Sequence, residues 1–181
     1  VLHLLAVCTG NICRSPAAQL LLADELDGSV EVTSAGTHAV VGSPVAEPVA
    51  RRLDGLGLDH SAFTARALTP GLVEAADLVV TMTSAQRADV LDRAPGALRR
   101  TFLLTELVQL AEHADPALRH GTDDEARLRS LVASAGRVRA VLGTVRARDV
   151  EDPYGRDDAV HERVLDELRS SVSRLGRALR A

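Results

Sequence analysis

Val1-Leu2-His3-Leu4-Leu5-Ala6-Val7-Cys8-Thr9-Gly10-Asn11-Ile12-Cys13-Arg14-Ser15-Pro16-Ala17-Ala18-Gln19-Leu20-Leu21-Leu22 reads as an apolar strand, a tight loop and the start of a helix. A thiol stands at one end of the loop and a guanidinium at the other. A loop of this length wraps its backbone N–H groups around one tetrahedral oxyanion, while the helix N-terminus aims its dipole at the same point. The pattern points to phosphate chemistry on a cysteine. CX5R spacing alone is weak; CX5RSP set directly between a first strand and a first helix is specific.

The rest of the chain supplies a frame for such a loop. At 181 residues, with 46% apolar and 25% charged residues, one domain spanning 1–181 is expected. The formal charge of −4 gives no electrostatic case for nucleic acid or a membrane surface. All 21 basic residues are Arg, so lysine chemistry, including a Schiff base or a P-loop Lys, is excluded. The only cysteines, Cys8 and Cys13, share one loop, which argues against a disulfide framework and for a reduced, cytoplasmic protein. Val1–Val7 is too short to span a membrane and lacks signal-peptide features.

Apolar runs at Val1–Val7, Val30–Ser34, Ala76–Thr81 and Arg100–Leu104 alternate with helical patterns, predicting an α/β layer fold with a mostly parallel sheet. Ser15-Pro16 and Ser43-Pro44 read as helix caps followed by Pro, the second leading into a helix over Val45–Leu56. Thr83 or Ser84 opens a helix over Ala85–Leu91. Two helices are expected between Glu106 and Leu142, broken near Asp115-Pro116 and His120-Gly121. A last helix runs from Asp157 to about Arg180, and the polar stretch Arg148–Asp158 between the helical blocks reads as an exposed loop.

Chemically, the helix N-terminus, Arg14 and the Ser15 hydroxyl all favour a thiolate at Cys8. The amides of Thr9, Gly10, Asn11, Ile12 and Cys13 would cradle phosphoryl oxygens, and the planar Arg14 fork would hold two of them through an in-line transition state. Gly10 permits a tight backbone, and Asn11 suits a left-handed conformation. The scattered histidines show no metal-like pairing, and neither metal nor cofactor is expected.

The chain resembles a low-molecular-weight protein tyrosine phosphatase. The resemblance rests on Cys8–Ser15 near the start of the sequence, Pro16 and the helix after it, Val32-Thr33-Ser34-Ala35-Gly36-Thr37, Ala65-Arg66-Ala67-Leu68, and Asp152-Pro153-Tyr154. It implies a three-layer sandwich with a four-stranded parallel sheet, and hydrolysis of phosphotyrosine monoesters in two steps through a phosphocysteine. In that reading Cys8 attacks phosphorus, Arg14 holds the oxyanion, Ser15 eases departure of the thiolate and Asp152 shuttles the proton, with Asp149, Glu151, Asp157 and Asp158 as nearby substitutes. Tyr154 is either a pocket wall that stacks on the substrate ring or a partly exposed loop residue, and Ile12 lines the same pocket. Related arginine phosphatases commonly carry Thr in place of Ile12; phosphoarginine, a small phosphoester and a non-catalytic phosphate module are the alternatives.

The expected partner is a tyrosine-phosphorylated protein, bound by a monomer or weak dimer. Cys13 is either a second thiol able to shield Cys8 through a reversible disulfide or a small filler under the loop. Three features depart from the family pattern. His38 is the best candidate where an aromatic lining residue is usual, and Phe63 stands where many members have a His that buttresses the loop through Asn11 and Ser34. The segment from Leu107 to Asp149 is longer than expected and adds surface.

Overall fold

The structure is a computed structural model and describes residues 1–116, 121–143 and 147–181. Four parallel strands, β1 (Leu2–Cys8), β2 (Val30–Gly36), β3 (Leu78–Thr81) and β4 (Thr101–Leu103), lie in the order β2-β1-β3-β4. The helices are α1 (Arg14–Glu25), α2 (Glu47–Gly55), α3 (Pro70–Ala75), α4 (Ser84–Arg93), α5 (Leu104–His113), α6 (Asp124–Leu142) and α7 (Asp158–Arg180), with a 3-10 turn over Pro95–Arg100. This is the α/β sandwich with a four-stranded parallel sheet that the sequence predicts.

Alternation along β1 divides the core. Leu2, Leu4, Ala6 and Cys8 face a large cluster built with α1, α5, α6 and α7, whereas Leu5 and Val7 face a smaller one built with Val73, Val90 and Ala97. Both faces of the sheet are therefore covered, which is why its strands are continuous apolar runs. Parallel pairing brings all the C-terminal strand ends to one edge. Register sets Cys8 beside Gly36 and Val7 beside Thr81.

Two helix starts differ from expectation. Ser15 is not a cap: α1 begins at Arg14, Cys13 is its N-cap residue, and no side chain caps it. The Ser15 hydroxyl is engaged with Cys8 instead, which leaves the first N–H groups of α1 without a side-chain cap. Nor does Ser43-Pro44 start a helix. Its backbone exchanges hydrogen bonds with Val40 and Ala65, and α2 starts at Glu47. Thr83 does cap α4, in a reciprocal capping box with Gln86. The predicted break between α5 and α6 is present, though His120 lies outside the described residues. In the long segment after Leu107, α6 turns one face to the core, where it buries Leu128, Leu131, Ala135 and Val138.

Candidate active site

The loop after β1 is built so that its amides turn inward. Its carbonyls are tied outward: Cys8 O accepts from Thr37 N (2.9 Å), Thr9 O from His38 N (3.0 Å), Gly10 O from Val40 N (3.0 Å) and Ile12 O from Ala46 N (2.8 Å). Across a planar trans peptide the C=O of one residue and the N–H of the next point opposite ways. The amides of Thr9, Gly10, Asn11 and Cys13 therefore face the inside, and the Asn11 N–H is seen to donate to Cys8 Sγ at 3.3 Å. Asn11 makes the turn with φ of 54°, the left-handed conformation expected of it.

Close approach of this loop to β2 requires Gly36. A Cβ there would lie 2.5 Å from Thr9 O and 2.9 Å from Asn11 Cβ. Gly36 cannot retreat, because its own N–H donates to Arg66 O (3.0 Å) and its carbonyl accepts from Leu68 N (2.8 Å). Gln86 adds a second brace: its Nε2 donates to Thr9 Oγ1 (3.1 Å) while its Oε1 accepts from the Met82 and Thr83 amides. Sequence reading missed both. A glycine at the end of a strand, next to Ser-Ala, and a Gln three residues after a Thr cap were the available signals.

Arg14 is 3% exposed. Its Nη1 donates to Val150 O (3.1 Å) and its Nη2 pairs with Asp152 Oδ2 (2.8 Å), while its buried Nε has no partner among the described residues. A buried charged donor left unpaired is costly; an oxyanion seated in the loop would satisfy it. Val150 also donates its N–H to Met82 O (2.8 Å), so the segment carrying Asp152 is fastened to the end of β3. Asp149 strengthens that attachment by accepting from Ser84 N (2.8 Å) and Ser84 Oγ (3.0 Å). Asp149 is thus an anchor of the segment, and of the nearby carboxylates it is Asp152 that meets Arg14.

A cavity of about 190 Å³ opens between these groups, lined by Cys8, Thr9, Gly10, Ile12, Cys13, Arg14, His38, Val40, Asp152 and Tyr154. Asn11 and Ser15 lie beneath it, fully buried; Asn11 Nδ2 donates to Ser15 Oγ (2.8 Å) and to Ser34 Oγ (2.9 Å), and Ser15 Oγ is 2.9 Å from Cys8 Sγ. The Asn11 side chain is thus a brace, and only its amide faces the cavity. Tyr154 is 67% exposed at the rim. Phe63 packs against the core, and the buttressing of Asn11 and Ser34 passes to Arg66 and Gln19. Both cysteines are free. Burial, reinforced by neighbouring Cys8 and Asp152 and partly offset by Arg14, pushes the Cys13 thiol up to about 12. Among the described residues no group of three His, Cys, Asp or Glu is arranged to hold a metal ion.

A parallel sheet whose first loop ties its carbonyls outward and turns its amides inward between a thiol and a buried guanidinium is the architecture of the cysteine-dependent phosphatase class. The chain belongs to the low molecular weight phosphotyrosine protein phosphatase family, whose profile matches residues 3–125. The Asp152 segment lies beyond that match. A probable low molecular weight protein-tyrosine-phosphatase, EpsP, from Ralstonia nicotianae is 39% identical over 142 residues, covering 76% of this chain and 97% of the relative. A protein-arginine-phosphatase of Geobacillus stearothermophilus is 29% identical over 98% of this chain and 95% of its own length. The solved structure of the YwlE arginine phosphatase from Geobacillus stearothermophilus superposes with a TM-score of 0.73 at 28% identity, covering 99% of this chain and 94% of that one. No helix among the described residues is long and apolar enough to cross a membrane.

Proposed function

We propose that the protein is a protein tyrosine phosphatase acting through a phosphocysteine at Cys8, with residues 1–181 forming one catalytic domain. The observation that carries this reading is the buried Arg14 Nε, without a partner among the described residues, beside a loop whose carbonyls are tied outward and whose Asn11 amide meets Cys8 Sγ. The phosphate dianion takes the loop amides and Arg14 Nε and Nη2, displacing Asp152, which enters the step protonated; Cys8 Sγ attacks phosphorus in line, the ester P–O bond breaks, and Asp152 gives its proton to the departing oxygen. Water then attacks phosphorus, its proton passes to Asp152, and the S–P bond breaks with its electron pair returning to Sγ. The Ser15 hydroxyl donates to that leaving thiolate. Ile12, Val40, His38 and Tyr154 supply apolar and aromatic wall for a phosphorylated ring.

The substrate is a tyrosine-phosphorylated protein, met by a monomer or weak dimer in the cytoplasm, where two free thiols side by side persist. A phosphoarginine reading has specific support in the arginine phosphatase match over nearly the whole chain. Rates on a phosphotyrosine peptide and a phosphoarginine peptide, measured with EDTA present, separate the two. The proposal expects higher kcat/KM for phosphotyrosine, loss of turnover in Cys8→Ser and a large fall in Asp152→Ala. Preference for phosphoarginine would move the substrate assignment, and phosphate binding without turnover would make the protein a phosphate-binding module.

A further inference from the structure

The hydroxyl that meets Cys8 stands at one end of a hydrogen-bond chain whose direction can be deduced. The Arg66 N–H donates to Asn11 Oδ1 at 2.9 Å, which settles which end of the Asn11 amide is oxygen. Nδ2 then supplies both remaining donors, one to Ser15 Oγ and one to Ser34 Oγ. Ser34 Oγ, already accepting, sends its own proton to Gln19 Oε1 at 2.7 Å. Ser15 Oγ, also accepting, has its single proton left for Cys8 Sγ. Gln19, Ser34, Asn11 and Ser15 are all uncharged side chains.

We infer that Gln19, on the second turn of α1, is a positioning residue that keeps this chain pointed at the nucleophile. The inference rests on Cys8 acting as proposed above. If the Asn11 amide were reversed, Ser15 and Ser34 would both donate into Asn11, and Cys8 would lose its hydroxyl donor. Two groups oppose that state. One is the backbone N–H of Arg66; the other is the Gln19 carbonyl oxygen, which gives the Ser34 proton an acceptor. The Ser15 donor matters most when the S–P bond breaks and charge gathers on Sγ. Losing Gln19 should therefore slow phosphoenzyme breakdown more than its formation.

Rapid-quench kinetics on para-nitrophenyl phosphate test this with wild type, Gln19→Leu, Gln19→Glu and Ser34→Ala. Gln19→Leu should form the phosphoenzyme normally, with a stoichiometric burst of nitrophenolate, and break it down about 3–10-fold more slowly. KM should fall with kcat so that kcat/KM is nearly kept. Gln19→Glu, which retains an acceptor oxygen, should restore most of the breakdown rate. Ser34→Ala, cutting the chain from β2, should match Gln19→Leu and supplies the result if the leucine variant folds poorly. Wild-type breakdown rates in the folded leucine and alanine variants, or an equal loss in formation and breakdown that glutamate does not relieve, would overturn the role of Gln19 alone. Turnover with no phosphate on Cys8 of the wild type would remove the underlying reading, and the role with it.

Discussion

A methyl group on Gly36 would meet the Thr9 carbonyl oxygen at 2.5 Å, so Gly36→Ala must push the phosphate loop away from β2. The expected cost is about 1–3 kcal/mol in urea unfolding, together with a rise in KM and in the inhibition constant for inorganic phosphate. Cys13 offers a second residue-scale test. Its thiol is raised from 9.0 to about 12, so the neutral form favoured by the fold contributes stability that is fully present below pH 9. That contribution is lost as pH rises toward 12, when the unfolded chain ionises first. Mass spectrometry of the folded Cys8→Ser variant at pH 9 should show Cys13 resisting iodoacetamide, and ready alkylation in the unfolded variant. Thiol, guanidinium and loop were legible in the sequence because their spacing is local. The contact of Gly36 with Thr9 was not, because it exists only once two strands pair in register.

The element that most shapes the site is the segment from Arg148 to Asp157, which carries Asp152 over the cavity. Thr105 Oγ1 donates to Arg148 O (2.7 Å), Asp149 accepts from the first residue of α4, and Val150 bonds to both Met82 and Arg14. Asp149→Ala removes the acceptor of the first amide of α4, worth about 1 kcal/mol in thermal unfolding, and loosens the proposed proton donor, Asp152, three residues on. We expect kcat/KM, which reports phosphoenzyme formation, to fall about 3–10-fold on phenyl phosphate and less on para-nitrophenyl phosphate, whose leaving group needs less protonation. Equal losses on both would show that Asp149 acts only on stability. Sequence reading placed this segment as an exposed loop, yet Val150 is buried. It also took Ser15 for a cap, because Ser-Pro at a helix start is the usual signal. The hydroxyl is drawn to the sulfur instead, and an uncapped helix start suits a site that receives an anion.

At the scale of the whole molecule, the candidate site lies at one edge of the sheet, and a cluster of long-range ties lies at the other. Asp124, fully buried at the start of α6, accepts from Arg127 Nη1 and Arg180 Nη2 at 3.1 Å each and from the Asp27 amide at 3.0 Å. Arg180 also reaches Glu25 at the end of α1. These bonds join α1, α6 and α7 near the N-terminal end of β1, where Leu2 donates to Ser29 O. Asp124→Ala should cost about 2–3 kcal/mol in urea unfolding, below the range for a fully buried pair because both arginines reach solvent. Its kcat/KM should stay at the wild-type value; a large drop would show that the two ends communicate. The layered α/β fold was legible because parallel strands covered on both faces are apolar throughout, whereas the long-range ties of Asp124 carry no local signature.

The central claim is that phosphate passes through Cys8. It is tested most directly by acid-quenching the wild-type enzyme during turnover of radiolabelled substrate in EDTA and mapping the labelled peptide. Label on Cys8, absent in Cys8→Ser and accumulating in Gln19→Leu, is the predicted result. Hydrolysis with no label on Cys8, or with label on another residue, would contradict the account.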